Sequence, residues 1–214
     1  MDFIEALKKG NIETICKCPK ADLHNHFVLG GSRKYLLEHS GRDIPPITEP
    51  LNSMDEMHAW NGANIGNFFD TPEGRRLLIR ATFAQAKEDG VSLLEIGEDV
   101  WGLGAFFNND IDELVEVQHG IAAVNDLSVV CFLADHKIRL NITPSSNYLL
   151  GRVKDLKTHP IAELYHNGVD VTINSDDVLI FDSDVSKEYL RLYQSECLTA
   201  EELDDIRING LDAK

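Results

Sequence analysis

Basic residues are scarce in this sequence of 214 residues: 20 lysines and arginines stand against 36 acidic residues, and the formal net charge is −16. The resulting field repels phosphate backbones and anionic lipids, which argues against a nucleic-acid polymer or a membrane surface as partner. Long apolar runs are also missing, so we expect neither a signal peptide nor a membrane span. A cation or a neutral small molecule is the expected partner.

Cysteine is sparse as well. The four cysteines, Cys16, Cys18, Cys131 and Cys197, include no C-x-x-C pair. This spacing argues against a disulfide framework and predicts reduced thiols in a cytoplasmic protein, with a metal clip at Cys16 and Cys18 as the alternative. No G-x-G-x-x-G motif is present, so a dinucleotide site has no support.

Strand-like apolar stretches alternate with helical stretches along the chain. Strands are expected at 21–27, 91–99, 115–120 and 169–177, and within 139–147, where a turn of Pro and Ser residues closes the strand. Helices are expected at 70–90, at 125–137 with Asn125 as N-cap, at 159–168, and in the segment that begins at Thr199 with Glu202 in the capping-box position. The alternation predicts an α/β fold built from parallel βαβ units.

A loop-rich and helical excursion at about 40–90 interrupts this pattern. Its first part, up to residue 69, is rich in proline, glycine and asparagine and is too long for an ordinary connector. Such an insertion at the top of a βα barrel often forms a lid over a site, and inert decoration is the alternative.

Polar side chains follow three of the expected strands. His24 and His26 end the first, His119 ends the strand at 115–120, and Asp176 and Asp177 follow the last. Taken singly, each group could be a polar strand end or a turn cap. The carboxyl ends of parallel barrel strands open onto one face, so we expect these five side chains to converge there. Two imidazoles with a carboxylate suit zinc or a similar divalent ion.

Four stretches together, PKADLHNHF, VQHGI, TPSSN and HPIAELYHNGVDVTINSDD, resemble the adenosine deaminase family of metal-dependent amidohydrolases. The resemblance is close from Val117 to Asp184, clear at 19–26, faint at 91–99 and absent from the excursion. It implies a TIM-type (β/α) barrel and a single amidohydrolase-like domain over 1–214.

The resemblance also implies the roles of the site residues. His24, His26 and Asp176 would bind one Zn2+, and Asp176 would also help to deprotonate the attacking water. His119 would orient and stabilise the resulting hydroxide, and Asp177 would accept a hydrogen bond from the purine ring. The implied reaction replaces the exocyclic amine of a small-molecule purine or nucleoside and releases ammonia.

The sequence departs from the family pattern in three ways. No counterpart is found for a third zinc-binding histidine and the glutamate that protonates the ring, although Glu95 or Glu98 could substitute as the acid. Three strands between 91–99 and 115–120 have no counterpart, so the expected barrel is incomplete. Val28 occupies the position of an aspartate that contacts the ribose, which leaves sugar recognition open.

Three hypotheses follow from these observations. The leading one is a zinc-dependent deaminase of adenosine or a related aminopurine. The second is a catalytically impaired barrel remnant that acts as an interaction or assembly module. The third is an amidohydrolase for a non-purine amide or ester, against which Asp177 and TPSSN argue. Because an incomplete barrel exposes strand edges, we also expect self-association or a complementing segment.

Overall fold

The computed structural model describes residues 2–26, 28–97 and 121–212. The strand expected at 115–120, together with His119 and Glu98, lies outside these described residues. Helices separate the strands in the described part, and paired strands run parallel, which confirms the α/β class.

The described strands form two parallel pairs. β1 (Lys20–His26) pairs with β2 (Val91–Gly97), and β3 (Leu140–Ile142) pairs with β4 (Val171–Ile173). One isolated parallel bridge, Asn25 with Asp176, joins the pairs beyond the end of β4. The order across the described strands is therefore β2-β1-β4-β3.

Helices precede, connect and follow these strands. They are α1 (Phe3–Lys8), α2 (Ile12–Ile15), α3 (Arg33–Ser40), α4 (Met54–Asn64), α5 (Pro72–Glu88), α6 (Leu127–Asp135), α7 (Pro144–Leu149), α8 (Ile161–His166), α9 (Val178–Phe181), α10 (Val185–Gln194) and α11 (Ala200–Leu211), with 3-10 turns at Gly66–Asp70 and Ile121–Asn125. Within the described ranges, no helix is long and apolar enough to cross a bilayer.

Local sequence signals account for most helix ends. The capping box predicted at Thr199 and Glu202 is present at the start of α11. The prediction of Asn125 as the cap of α6 is wrong, since the side chain of Asp126 accepts the N–H of Ser128 at 2.9 Å. The strand predicted within 139–147 is present as β3, but the Pro and Ser residues predicted to form a turn begin α7, because Pro144 is its first residue, where the missing N–H costs no hydrogen bond.

A closed barrel is not found among the described residues. β2 has only β1 beside it and β3 has only β4, so the described sheet keeps two edges. This agrees with the sequence, in which three strands expected after β2 have no counterpart. The predicted parallel α/β arrangement is thus confirmed, whereas the described strands do not establish the predicted incomplete barrel.

The buried apolar residues form two clusters. The larger lies between the β3-β4 pair and the helices α1, α8, α10 and α11. The smaller lies beneath the excursion and includes Val28 and the α9 residues Leu179, Ile180 and Phe181. Backbone hydrogen bonds from Ile47 to Ile180 (2.8 Å) and from Leu51 to Leu149 (2.7 Å) hold the excursion against α9 and α7. The excursion is therefore attached next to the carboxyl ends of β3 and β4.

Candidate metal centre

Two imidazole rings lie side by side at the carboxyl end of β1. The His24 and His26 ring centroids are 5.2 Å apart, because residues two apart in a strand project in similar directions. His24 is buried at 7% exposure, whereas the side chain of His26 is 28% exposed. The pair therefore combines an interior ring with one that solvent or a small molecule can reach.

Asp176 approaches the two rings from the segment after β4. Its N–H donates to the carbonyl of His24 at 2.9 Å, and its carbonyl accepts the N–H of His26 at 3.4 Å. The φ angle of Asp176 is +60°, in the left-handed region that non-glycine residues rarely adopt. Backbone hydrogen bonds on both sides of this unusual conformation hold the carboxylate beside the imidazoles.

The three side chains present a compact set of donor atoms. Asp176 Oδ1 lies 3.3 Å from His26 Nε2 and 3.7 Å from His24 Nε2. One ligand atom from each residue lies within 4.8 Å of those of the other two. Ligand atoms about 2.0–2.1 Å from a tetrahedral zinc stand about 3.3–3.4 Å apart, so the set fits such an ion. Two nitrogens and one oxygen are also the donor types of catalytic zinc sites.

Asp177 contacts the opposite side of the exposed ring. Its Oδ1 lies 2.9 Å from His26 Nδ1, and the side chain is buried. A carboxylate at Nδ1 favours the proton on that nitrogen and directs Nε2 towards Asp176. Asp177 therefore orients His26, a contact that the sequence did not predict.

A buried polar network lies directly behind the three candidate ligands. The Asp22 carboxylate accepts the N–H of Ser175 at 3.1 Å, its hydroxyl at 2.5 Å and the Asn25 side-chain amide at 3.2 Å. Burial raises the pKa of Asp22 to about 7, against the lowering effect of these hydrogen bonds. This network was not predicted from the sequence, in which Asp22, two positions before the His-x-His motif, was the available signal.

Other residues singled out in the sequence fall elsewhere. Glu95 lies in β2 with an exposed side chain, and Val28 packs in the smaller apolar cluster. His159, at the start of the helix expected at 159–168, is 2% exposed, and burial lowers its pKa to about 4. Its Nδ1 accepts the N–H of Ile161, the first residue of α8, at 3.1 Å.

Comparisons with known proteins find matches to one enzyme family. The sequence model of the family described as adenosine deaminase matches residues 70–214. That range includes Asp176 and Asp177, whereas His24 and His26 precede it. The two sides of the candidate centre are therefore joined by the fold and not by the sequence match alone.

Curated relatives match parts of the chain. A putative adenosine/adenine deaminase of Treponema pallidum is 39% identical over 42% of this chain and 30% of its own length. An adenine deaminase of Vibrio parahaemolyticus is 33% identical over 61% of this chain and 39% of its own length. An adenosine deaminase of Plasmodium gallinaceum is 32% identical over 50% of this chain and 31% of its own length. The chain thus spans about a third of the length of these relatives.

Two solved structures share the fold at low sequence identity. An adenine deaminase from Arthrobacter aurescens aligns with a TM-score of 0.62 at 18% identity, over 92% of this chain and 94% of the other. An amidohydrolase from Burkholderia ambifaria with bound zinc aligns with a TM-score of 0.55 at 16% identity, over 92% and 86%.

Proposed function

This chain belongs to the adenosine deaminase family, and from that membership we propose that it binds one zinc ion through His24, His26 and Asp176 and hydrolytically deaminates a small aminopurine. The observation that carries the proposal is the convergence of the three side chains. They come from the end of β1 and from the segment after β4, and backbone hydrogen bonds bring their donor atoms within 4.8 Å of one another. A chance cluster of acidic side chains on the surface would not require backbone hydrogen bonds between the end of β1 and the segment after β4.

Zinc is the ion that the donor set favours. Two imidazole nitrogens and a carboxylate oxygen suit a catalytic zinc site, and the Burkholderia ambifaria amidohydrolase of the same fold contains bound zinc. The ion supplies activation of water for hydrolysis at neutral pH. The Asp177 carboxylate, 2.9 Å from His26 Nδ1, keeps that ring oriented towards the site.

Each remaining candidate has a role in the proposed reaction. Asp176 accepts a proton from the attacking water, and His119 positions that water. The water oxygen bonds to the ring carbon that carries the amine, the carbon–nitrogen bond breaks, and ammonia leaves with the transferred protons. Asp177 accepts a hydrogen bond from the purine ring. Its contact with His26 links substrate binding to the orientation of a metal ligand.

The substrate class is adenosine, adenine or a related aminopurine. Val28, where the family pattern has a ribose-binding aspartate, is 3% exposed and packs in the apolar cluster. It offers the sugar no hydrogen bond. The relatives are named for adenosine and for adenine, so the free base and the nucleoside are both candidate substrates.

Residues 1–214 form a single amidohydrolase-like domain in this proposal. The backbone hydrogen bonds that hold the excursion against α7 and α9 support that unity. The assembled ligand set favours an enzyme over a non-catalytic remnant. The catalytic centre is completed by self-association or by a complementing segment, since the chain lacks the third histidine and the glutamate of the family pattern.

Turnover tests the proposal directly. Zinc-loaded protein is assayed for ammonia release from adenosine and from adenine, alone and with an added segment that carries a strand with the histidine and glutamate. A general acid contributes about 10²- to 10⁴-fold, so we expect slow deamination alone and an increase of orders of magnitude with the segment. His119→Ala should suppress the restored activity.

A matched pair of variants separates the site from general damage. Asp176→Asn should abolish turnover, whereas Asp170→Asn should retain it, because Asp170 lies at the other end of β4 in a partly exposed ion pair with Arg139. Absence of zinc-dependent ammonia release with either substrate, with and without the segment, would overturn the proposed function. Fast turnover by the chain alone would instead identify an internal acid, with Glu95 and Glu98 as first candidates.

A further inference from the structure

Asp22 of β1 fixes the segment that carries Asp176. Asp22 lies in β1, 153 positions before Ser175, yet its Oδ1 accepts the Ser175 N–H at 3.1 Å and its Oδ2 accepts the Ser175 hydroxyl at 2.5 Å. Both bonds act on the residue directly before Asp176. The carboxylate thereby ties β1 to the chain at the point where it enters the left-handed conformation.

A third residue closes this network. The Asn25 side-chain amide donates to Asp22 Oδ2 at 3.2 Å and to Ser175 Oγ at 2.9 Å. Asp22, Asn25 and Ser175 are each at most 3% exposed, so water does not replace these bonds easily. All the groups that form hydrogen bonds with the Asp22 carboxylate are donors. An asparagine amide in its place has one acceptor oxygen and could satisfy only some of them.

We infer that Asp22 is a positioning residue of the metal centre: it holds the Asp176 carboxylate at the distance from His24 and His26 that a metal ion requires. This inference rests on the proposed function, because it assumes that the three side chains bind the ion. Asp22 itself does not bind the metal or the substrate. Residues that orient metal ligands typically change metal affinity by 10- to 100-fold when they are replaced.

The same strand pair provides a matched control. Asp89 is as buried as Asp22, at 2% exposure, and its Oδ2 likewise accepts a serine N–H, from Ser186 at 3.2 Å. It lies just before β2, beside the buried amino group of Lys20 at the opposite end of β1. Asp89→Asn should therefore lower stability without changing the metal centre.

Cobalt binding tests the inference with a readout other than activity. Co2+ is titrated into metal-free wild type, Asp22→Asn and Asp89→Asn, and both the dissociation constant and the visible d–d bands are recorded, since these bands report coordination geometry. Asp22→Asn should weaken binding by about 10- to 100-fold and change the bands. Asp89→Asn should reproduce the wild-type values, and Asp22→Glu should recover part of the affinity.

The outcomes distinguish this inference from the proposed function. Wild-type Co2+ affinity and bands in Asp22→Asn would overturn the positioning role and leave the proposed metal site unaffected. Equal losses of Co2+ affinity in Asp22→Asn and Asp89→Asn would also overturn it, because the loss would then come from lowered stability. A wild type that binds no Co2+ and no Zn2+ would remove both proposals. If Asp22→Asn does not fold, Ser175→Ala decides, because it deletes the hydroxyl donor alone. Unchanged affinity and bands in that variant would overturn the inference.

Discussion

Asp176 Oδ1 lies 3.3 Å from His26 Nε2, although His26 ends β1 of one strand pair and Asp176 follows β4 of the other. The contact depends on the parallel bridge between Asn25 and Asp176, which aligns the ends of β1 and β4. The candidate centre is therefore sensitive both to its own side chains and to whatever holds the two ends together.

Removal of two ligands should abolish metal binding. We expect wild-type protein to retain about one divalent ion per chain after dialysis and His24→Ala/Asp176→Ala to retain none, because one remaining imidazole cannot hold the ion. Elemental analysis measures this directly. His166→Ala/Asp170→Asn, which changes a half-exposed histidine and a partly exposed aspartate, is the control and should keep its metal. Equal metal in both double variants would contradict the assignment.

Glycine at position 30 should be required, whereas glycine at position 62 should not. A Cβ at Gly30 would lie 1.9 Å from Asn25 Oδ1, and Asn25 cannot move without breaking its bonds to Asp22 and Ser175. Gly30→Ala should therefore destabilise the protein by about 1–3 kcal/mol and weaken Zn2+ binding.

The matched substitution is Gly62→Ala in α4, where the added Cβ would meet open space. It should leave Zn2+ affinity unchanged and stabilise the protein by about 0.5–1 kcal/mol, because alanine favours a helix. Urea unfolding and a Zn2+ titration measure both quantities. Similar behaviour of the two variants would contradict the tight packing around Asn25.

Stability should fall with decreasing pH through a contribution from His159. Burial lowers its pKa to about 4, below the ordinary value of 6.5, so between these values the unfolded chain binds a proton that the folded chain does not. This contribution to the free energy of unfolding is present above pH 6.5 and is lost towards pH 4, with a total on the order of 3 kcal/mol.

His159→Gln isolates this contribution from the carboxylates. Its free energy of unfolding should change less than that of wild type between pH 7 and pH 5, as measured by urea unfolding. The exposed His166→Gln is the control and should retain most of the wild-type pH dependence. Identical pH profiles for wild type and His159→Gln would exclude the contribution.

The edges of the described sheet should make the chain self-associate. β2 has β1 on one side only among the described strands, and its side chains Leu93, Leu94 and Ile96 are half-buried. An unpaired parallel edge with apolar side chains favours pairing with another strand. Light scattering coupled to size exclusion should detect dimers or larger species, and a monodisperse monomer would contradict this expectation.

Local patterns in the sequence predicted the parts of the site that depend on local geometry. His24 and His26 could be paired from their spacing in one strand, and Asp176 was placed with them because parallel strands end on one face. The left-handed conformation of Asp176 had no local signal. The position of Asp22 before His-x-His did not identify Ser175 as its partner, since that contact joins distant segments. His119 lies outside the described residues, so its role stays a prediction.

The boundaries of the elements illustrate the same limit. The capping box at Thr199 is a local signal and was predicted correctly, whereas the turn predicted at Pro144 and the serines after it is the beginning of α7. Closure of the barrel could not be judged from local pattern either, because it depends on how many strands meet around one axis.

The bond between Asp22 and Ser175 also sets an order of events during synthesis. A ribosome delivers β1 long before the segment after β4, and contacts between such distant positions form late because a long loop must first close. His24 and His26 therefore leave the ribosome before Asp176, the carboxylate partner that the proposed metal site requires. If the site binds an ion as proposed, tight binding can begin only after Ser175 and Asp176 have been translated, and metal loading would then follow the first folding steps of this chain.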